Sequence, residues 1–396
     1  MEPIFIPSNS NRLDIPIDPS EEEFNYSFTG FESKLNINSY ETIATIGSGS
    51  YGEVCIVKDK KSTNEIYALK KVFYADVNDA ELIKKRAIRE RDAMIACNKN
   101  TNCRSPKLYC SFIDKDEGVF YFLMEFIGGG DLNSYCYRRI VEGKKFTMDE
   151  IKFYIAELVC ILEAFHNLGF IHRDIKPENI MIDRDGHLIL GDYGSSKQVH
   201  NVNHSGNSGA SHSSSVPSAG TSGAGSANAH WLEQNNKPFG NTPPNFQSFL
   251  RNPNSSYTSY IGTPQYMAVE VVQGVVYSKL CDYWSLGAIL FELITGQALF
   301  VESPDTTEQK IRENIGNWRG LLNTAISKNQ PLSKVQESLI RELIAPERKR
   351  IDATGIKKHP FFEGIDWSAI QDRTAEPPFK PTLSHNGDYS YFQSSN

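Results

Sequence analysis

Residues 170 to 183 read Phe-Ile-His-Arg-Asp-Ile-Lys-Pro-Glu-Asn-Ile-Met-Ile-Asp, and no other stretch restricts the fold as tightly. Two apolar runs flank a polar cluster, the pattern of a loop held between buried segments, so Asp174, Lys176 and Asn179 should emerge on one face. A carboxylate two residues from an ammonium and five from a carboxamide suits a reaction in which a hydroxyl loses a proton, a phosphoryl group moves and a metal is held. Taken alone, His-Arg-Asp reads as an ordinary polar loop with a helix-capping Asp. The eight residues His172 to Asn179 are far more specific, and they require the remaining parts of such a site at set distances on either side.

Upstream, Tyr40 to Ile46 and Glu53 to Val57 read as strands around Gly47-Ser48-Gly49-Ser50-Tyr51-Gly52. Glycines there let backbone N–H groups approach phosphate oxygens, although an unliganded hairpin turn has the same look. The strand Ile66 to Val72 alternates and places Lys70 within reach of phosphates under that turn. Asn78 and Glu81 form a capping-box pattern ahead of a helix that carries Arg86 and Glu90. Two strands, 107 to 112 and 119 to 126, then run into Gly128-Gly129-Gly130-Asp131, a natural hinge between two lobes. The clearest helix spans 147 to 168, with Thr147 and Glu150 as a capping box, apolar residues at helical spacing and Gly169 as its stop.

Downstream, His187 to Leu190 is a short strand leading to Gly191-Asp192-Tyr193-Gly194, where a carboxylate beside glycine can ligate magnesium. Residues 199–257 are dominated by Asn, Ser, Gly and His and then by Pro and scattered aromatics, a composition that cannot bury a core and reads as a flexible insert. Regular structure resumes at Tyr260 to Glu270, followed by Asp282-Tyr283-Trp284-Ser285 and a run from Leu286 to Ile294 that is apolar all round, as in a buried central helix. Residues 1–39 are a polar, partly acidic tail whose aromatics Phe24, Tyr26, Phe28 and Phe31 should dock on the neighbouring domain.

The net charge of -7 argues against non-specific nucleic-acid binding. Seven scattered cysteines lack metal-ligand spacing and read as reduced thiols. With no signal peptide and no apolar run long enough for a membrane span, the expected location is cytoplasmic, with the nucleus also open to it.

From about residue 40 to 362, minus the insert, the chain resembles a eukaryotic protein kinase catalytic domain. The resemblance implies an α+β, bilobal protein kinase fold: a small β-rich N-lobe (40–126), a larger helical C-lobe (127–362) with a disordered activation-segment insert (199–257), and a C-terminal tail (363–396). It implies ATP and Mg2+ as cofactors. The nucleotide would be held by Ile46, Gly47, Ser48, Gly49, Ser50, Tyr51, Gly52, Val54, Ala68, Lys70, Glu90, Met124, Glu125, Ile127 and Asp131. Asp174 would be the catalytic base, Lys176 the γ-phosphate contact, and Asn179 and Asp192 the metal ligands. Glu270 should pair with Arg350. The loop His172 to Asn179 resembles that of serine/threonine kinases, which gives the activity of a non-specific protein serine/threonine kinase.

Within that superfamily, the tail from Gly364 to Phe392 and the run Gly296 to Trp318 look like the AGC group, most of all its NDR/LATS branch, with the ROCK-like branch next. Tyr193 stands where Phe is usual and Val269 where Pro is usual, and no Phe-x-x-Phe-Ser/Thr-aromatic motif follows residue 392. The resemblance further implies protein substrates, an upstream activating kinase that modifies Ser259 or Thr258 against a pocket of Arg86, Arg173 and Lys197, and an adaptor on the N-lobe or insert. Asp131 and Glu178 lie where AGC kinases read an Arg upstream of the target hydroxyl, so basic substrates are expected. Two rival readings are a partner-binding pseudokinase and a small-molecule kinase. The intact set Lys70, Asp174, Asn179 and Asp192 weighs against the first, and the peptide-docking look of Tyr260 to Glu270 against the second.

Overall fold

Between residues 40 and 125, β-branched and aromatic residues recur at the spacing of strands, and they build one antiparallel sheet. The computed structural model describes residues 24–27, 37–49, 52–61, 65–75, 80–199, 264–328 and 332–392. Ser50, Tyr51, Asn78, Thr258, Ser259 and the insert beyond Val199 lie outside the described residues.

The sheet runs in the order β1-β5-β6-β4-β3-β2, with β1 at Tyr26–Ser27, β2 at Tyr40–Gly49, β3 at Gly52–Asp59, β4 at Ile66–Phe73, β5 at Leu108–Asp114 and β6 at Val119–Glu125. Gly49 pairs with Gly52 and Gly47 with Val54, which folds β2 and β3 into a hairpin at the expected glycine turn. A Cβ on Gly52 would lie 2.2 Å from the Lys71 carbonyl oxygen, so a side chain there would separate β3 from β4. Helix α1 (Ala80–Asn98) lays Ile83, Ala87, Ile88, Met94 and Cys97 into the core.

Strand β1 was not legible as a strand. Two residues are too few to show a period, and yet they pair antiparallel with β5, Tyr26 opposite Ser111 and Ser27 opposite Cys110. The expected docking of the N-terminal aromatics is seen for Phe24, which is fully buried, and for Tyr26; Phe28 and Phe31 lie outside the described residues.

Beyond the linker come α2 (Leu132–Val141) and α3 (Met148–Asn167). Helix α3 carries the expected capping box: Glu150 N–H donates to Thr147 Oγ1 at 3.3 Å and Thr147 N–H to Glu150 Oε2 at 2.6 Å. Gly169, at φ +82°, takes the left-handed step that ends it. Short strands follow, β7 (Phe170–Ile171), β8 (Ile180–Ile182), β9 (Leu188–Leu190) and β10 (Lys197–Gln198), with β8 on β9 and β7 on β10. Helix α4 (Val269–Val272) precedes α5 (Leu280–Thr295), which is buried from Cys281 to Leu293, as its all-apolar reading requires. Helices α6 (Glu308–Gly316), α7 (Trp318–Lys328), α8 (Lys334–Leu343) and α9 (Ala353–Lys357) complete the helical lobe.

The last segment returns across the molecule. After α10 (Trp367–Gln371), Arg373 pairs with Asp183, Phe379 stacks on Tyr135 at 4.5 Å, and Phe392 lies 5.9 Å from Phe126. Arg104 anchors this path by donating to the carbonyls of Ile370 and Gln371 while it pairs with the fully buried Glu157. Among the described residues no helix is long and apolar enough to cross a membrane.

Candidate active site

The β4 alternation buries Leu69 and turns Lys70 toward α1. There the Lys70 ammonium lies 2.6 Å from Glu90 Oε1 and 3.1 Å from Asp192 Oδ1. Burial alone would favour neutral lysine, but the two carboxylates outweigh it and hold the pKa above its ordinary value. Lys70 in turn keeps Asp192 well below the usual carboxylate range, so this oxygen donor stays ionised. Asp192 sits at φ +57°, a left-handed position that a bare Asp tolerates, and Gly194 just beyond it passes 3.6 Å from Glu90 Oε2 when a Cβ is built on it.

Asp174, Lys176 and Asn179 do share a face. Lys176 Nζ is 2.8 Å from Asp174 Oδ2, and the Asn179 amide donates to the Asp174 carbonyl at 2.8 Å and to its Oδ2 at 3.0 Å. That commitment of Nδ2 leaves the Asn179 carbonyl oxygen as the ligating end. Gly191 N–H donates to the Asn179 backbone carbonyl at 2.9 Å, which brings the loop and the Asp192 turn side by side. Asn179 and Asp192 supply hard oxygen donors, a set that fits Mg2+ with water and phosphate completing its shell. Among the described residues there is no cluster of three or more His, Cys, Asp or Glu side chains of the sort that encloses a metal.

Sequence reasoning assigned no role to Asp282, and the structure gives it a central one. It is fully buried on α5, where its Oδ2 accepts from the His172 N–H at 2.9 Å and lies 2.8 Å from His166 Nε2, while Oδ1 accepts from the Arg173 N–H at 2.8 Å. Arg173 is one of three non-glycine residues at positive φ among the described residues, at +69°, immediately before Asp174. Thus a charge on the central helix pins the strained start of the loop. Tyr193 also finds its reason: its hydroxyl donates to the Leu190 carbonyl at 2.6 Å, so the extra oxygen relative to Phe is satisfied inside the core.

The residues named for the nucleotide, apart from Ser50, Tyr51 and the α1 residue Glu90, fall on the first strands and the linker. Ile46, Gly47, Ser48 and Gly49 end β2, Gly52 and Val54 begin β3, Ala68 pairs with Met124 across β4 and β6, and Glu125 and Ile127 lead into the glycine linker. Asp131 caps α2 through the Ser134 N–H at 2.7 Å. Arg173 donates to the Ser195 carbonyl at 2.5 Å and to Tyr277 Oη at 2.9 Å, and Lys197 stands 5.9 Å over the Tyr277 ring. Arg89, which sequence reasoning passed over, is close enough to Arg173 and Arg86 that, after burial, their charges disfavour its own. Its signal was available: Arg86 and Arg89 are three apart on one helix.

A second missed residue is Glu292 on α5. Burial raises its pKa to about 7, with Glu178 adding to the effect, while the Tyr266 hydroxyl donates to Oε2 at 2.6 Å. Burial first, then the charges of Glu292, Asp131 and Glu178, raise the Cys136 thiol on α2, with Arg139 opposing them. Elsewhere, Arg350 grips Glu270 as expected, Nη1 donating to Oε1 at 2.5 Å and Nη2 to Oε2 at 3.0 Å, and it donates to the carbonyls of Leu280 and Ala345. Val269 begins α4 at 8% exposure, where it packs in the core.

The sequence pattern of the family described as protein kinase domain matches residues 40–216 and 246–362. The chain is 65% identical over 418 residues to a probable serine/threonine-protein kinase of Dictyostelium discoideum, covering 99% of this chain and all of that one. It is 36% identical over 377 residues to the serine/threonine-protein kinase CBK1 of Candida albicans and 35% over 369 residues to the serine/threonine-protein kinase Warts of Drosophila melanogaster. Each alignment covers 91% of this chain, but only 48% of CBK1 and 30% of Warts, so the chain spans half or less of those two.

Proposed function

This chain belongs to the protein kinase family, and on that premise we propose how its site transfers a phosphoryl group and to what. It is a serine/threonine protein kinase, with relatives in the NDR/LATS branch of the AGC group. ATP would lie with its adenine against Ala68, Met124 and the linker backbone at Glu125 to Ile127, and its phosphates under the Gly47 to Gly52 turn against Lys70. Asn179 and Asp192 would hold Mg2+, which when bound neutralises phosphate charge.

Asp174 would orient the attacking Ser or Thr hydroxyl and take its proton as the new O–P bond forms and ADP leaves. Lys176, held 2.8 Å from Asp174, stabilises charge on the transferring group and keeps the Asp174 carboxylate aimed. One observation carries this reading: Lys70 is bound by both Glu90 and Asp192 while Asp174 is bound by both Lys176 and Asn179. Asp192 reaches Lys70 from the lobe that also carries Asp174, which supports a phosphoryl-transfer site built between the two lobes.

The substrate class follows from Asp131, Glu178 and Glu292. Asp131 caps the start of α2, and Glu178 lies near enough to Glu292 to raise its pKa; an acidic set of this kind would favour a guanidinium upstream of the target hydroxyl, which supports basic Ser/Thr peptides as substrates. Seven free thiols support a reducing compartment, cytoplasmic or nuclear. The test is transfer from labelled ATP to an Arg-containing Ser peptide beside the same peptide with Ala for Arg, using the chain and its Asp174→Ala form. Loss of transfer in the variant, with nucleotide binding kept, is the expected result. Equal activity in the variant would sink the assignment of Asp174, and equal use of the two peptides would sink the basic preference.

A further inference from the structure

Phe24 is fully buried although it belongs to a segment whose composition reads as a solvated tail. Its ring lies 4.6 Å from Phe120 and 5.8 Å from Phe122 on the sheet, and the Arg91 guanidinium covers it at 5.3 Å. Arg91 is the residue after Glu90, on the same α1 that must present Glu90 to Lys70. The backbone around it is held as well: Ser111 Oγ donates to the Phe24 carbonyl at 3.1 Å, the Ile113 N–H donates to Asn25 Oδ1 at 3.4 Å, and β1 adds an antiparallel edge to β5. At the far end of α1, Asn98 donates to Tyr26 Oη at 3.4 Å while it brackets Leu108 through both backbone groups. The segment therefore touches both ends of the span of α1 that follows Glu90.

We propose that residues 24–27 are a strap that docks on the N-lobe and holds α1 in the position where Glu90 meets Lys70, with Phe24 as its positioning residue. The ring fills the space between α1 and the sheet. Without it, Phe120 and Phe122 of the sheet and the Arg91 side chain of α1 lose the ring that lies between them, and α1 is free to move outward with Glu90. Two features make this a strap and not a permanent part of the core. It is tied to the domain by a two-residue ladder at a sheet edge, and its buried area is concentrated in one side chain.

This inference rests on the kinase reading, and its test has one arm that does not depend on activity. Phe24→Ala and Phe24→Leu are made in the full chain, and a synthetic peptide of residues 20–31 is titrated into each, with the same peptide carrying Ala for Phe24 as its control. Phosphoryl transfer and hydrogen exchange of the α1 amides are read together. The expected result for Phe24→Ala is a kcat lower by ~10-fold, equal to about 1.4 kcal/mol in the seating of α1, with faster exchange across α1 and saturable recovery of both by the Phe24 peptide alone. If Phe24→Ala does not fold, the milder Phe24→Leu carries the same comparison. Unchanged exchange and a kcat within twofold of the parent would overturn the strap, as would lost activity that no peptide restores. Silence of the parent chain in transfer would count against the kinase reading, while the exchange arm would still decide on the strap.

Discussion

Asp282→Asn is an isosteric change far from any substrate, and the geometry makes it a severe one. The carboxylate uses Oδ1 for the Arg173 N–H at 2.8 Å and Oδ2 for the His172 N–H at 2.9 Å, with His166 Nε2 also at 2.8 Å from Oδ2. An amide must put its NH2 on one side or the other, where it meets a backbone N–H that can only donate. At least one charge-assisted hydrogen bond is lost, ~1.5–3 kcal/mol, and the remaining bond weakens as the charge goes. With the NH2 on the Oδ2 side the residue released is His172; on the Oδ1 side it is Arg173, whose φ of +69° costs ~1–3 kcal/mol and relaxes once unpinned. Because Asp174 is the next residue, misplacement falls on the catalytic carboxylate first. We expect kcat to fall ~10- to 100-fold, the equivalent of about 1.4 to 2.7 kcal/mol. The KM for ATP should change little, since Lys70 and Glu90 lie in the other lobe. Steady-state transfer at saturating ATP and thermal unfolding without nucleotide measure both parts. A variant with kcat within twofold of the parent and an unchanged melting temperature would refute the claim that Asp282 sets the loop.

Two further predictions concern buried carboxylates. Glu292, with its pKa raised to about 7, is neutral below that pH and charged above it, so preference for an Arg peptide over its Ala counterpart in kcat/KM should increase from pH 6 to 8. Since the folded-state pKa is the raised one, the stability Glu292 contributes is full below its ordinary 4.5 and is lost as pH rises from there through about 7. Glu292→Gln should flatten both profiles, and an unchanged pH profile of selectivity in that variant would remove Glu292 from substrate reading. Arg350→Ala strands the buried Glu270 and the Leu280 and Ala345 carbonyls, a loss of ~3–5 kcal/mol that denaturant titration would detect. The apolar pair Glu270→Leu with Arg350→Met should recover much of that loss; a double variant worse than the sum of its parts would contradict it.

What could be read from the sequence follows the distance over which each signal acts. The α3 capping box and its Gly169 stop lie within one helix, and the catalytic loop is a single run, so each carries its own evidence. Lys70 and Glu90 are 20 residues apart and were found through the resemblance, since neither residue is unusual on its own strand or helix. Asp282 serves backbone groups 109 and 110 residues away and Glu292 meets Tyr266 26 residues away across a helix–loop contact, partnerships with no local trace. Phe24 was singled out only as an aromatic that should dock. Its partners on β6 belong to a strand whose own pattern is complete without it, so nothing near Phe120 asks for a further ring.

The three glycines of the linker have a consequence for how the chain can change over time. A Cβ on Gly128 would lie 3.1 Å from the Asp388 carbonyl oxygen, on Gly129 2.7 Å from Pro381 and 2.3 Å from the Ile182 carbonyl oxygen, and on Gly130 3.0 Å from the Tyr391 carbonyl oxygen. The returning tail occupies the space that side chains on the linker would need. Residues 128–130 and 381–391 must therefore be inherited as a matched set, and a chimera that exchanges either one alone would bring two incompatible halves together.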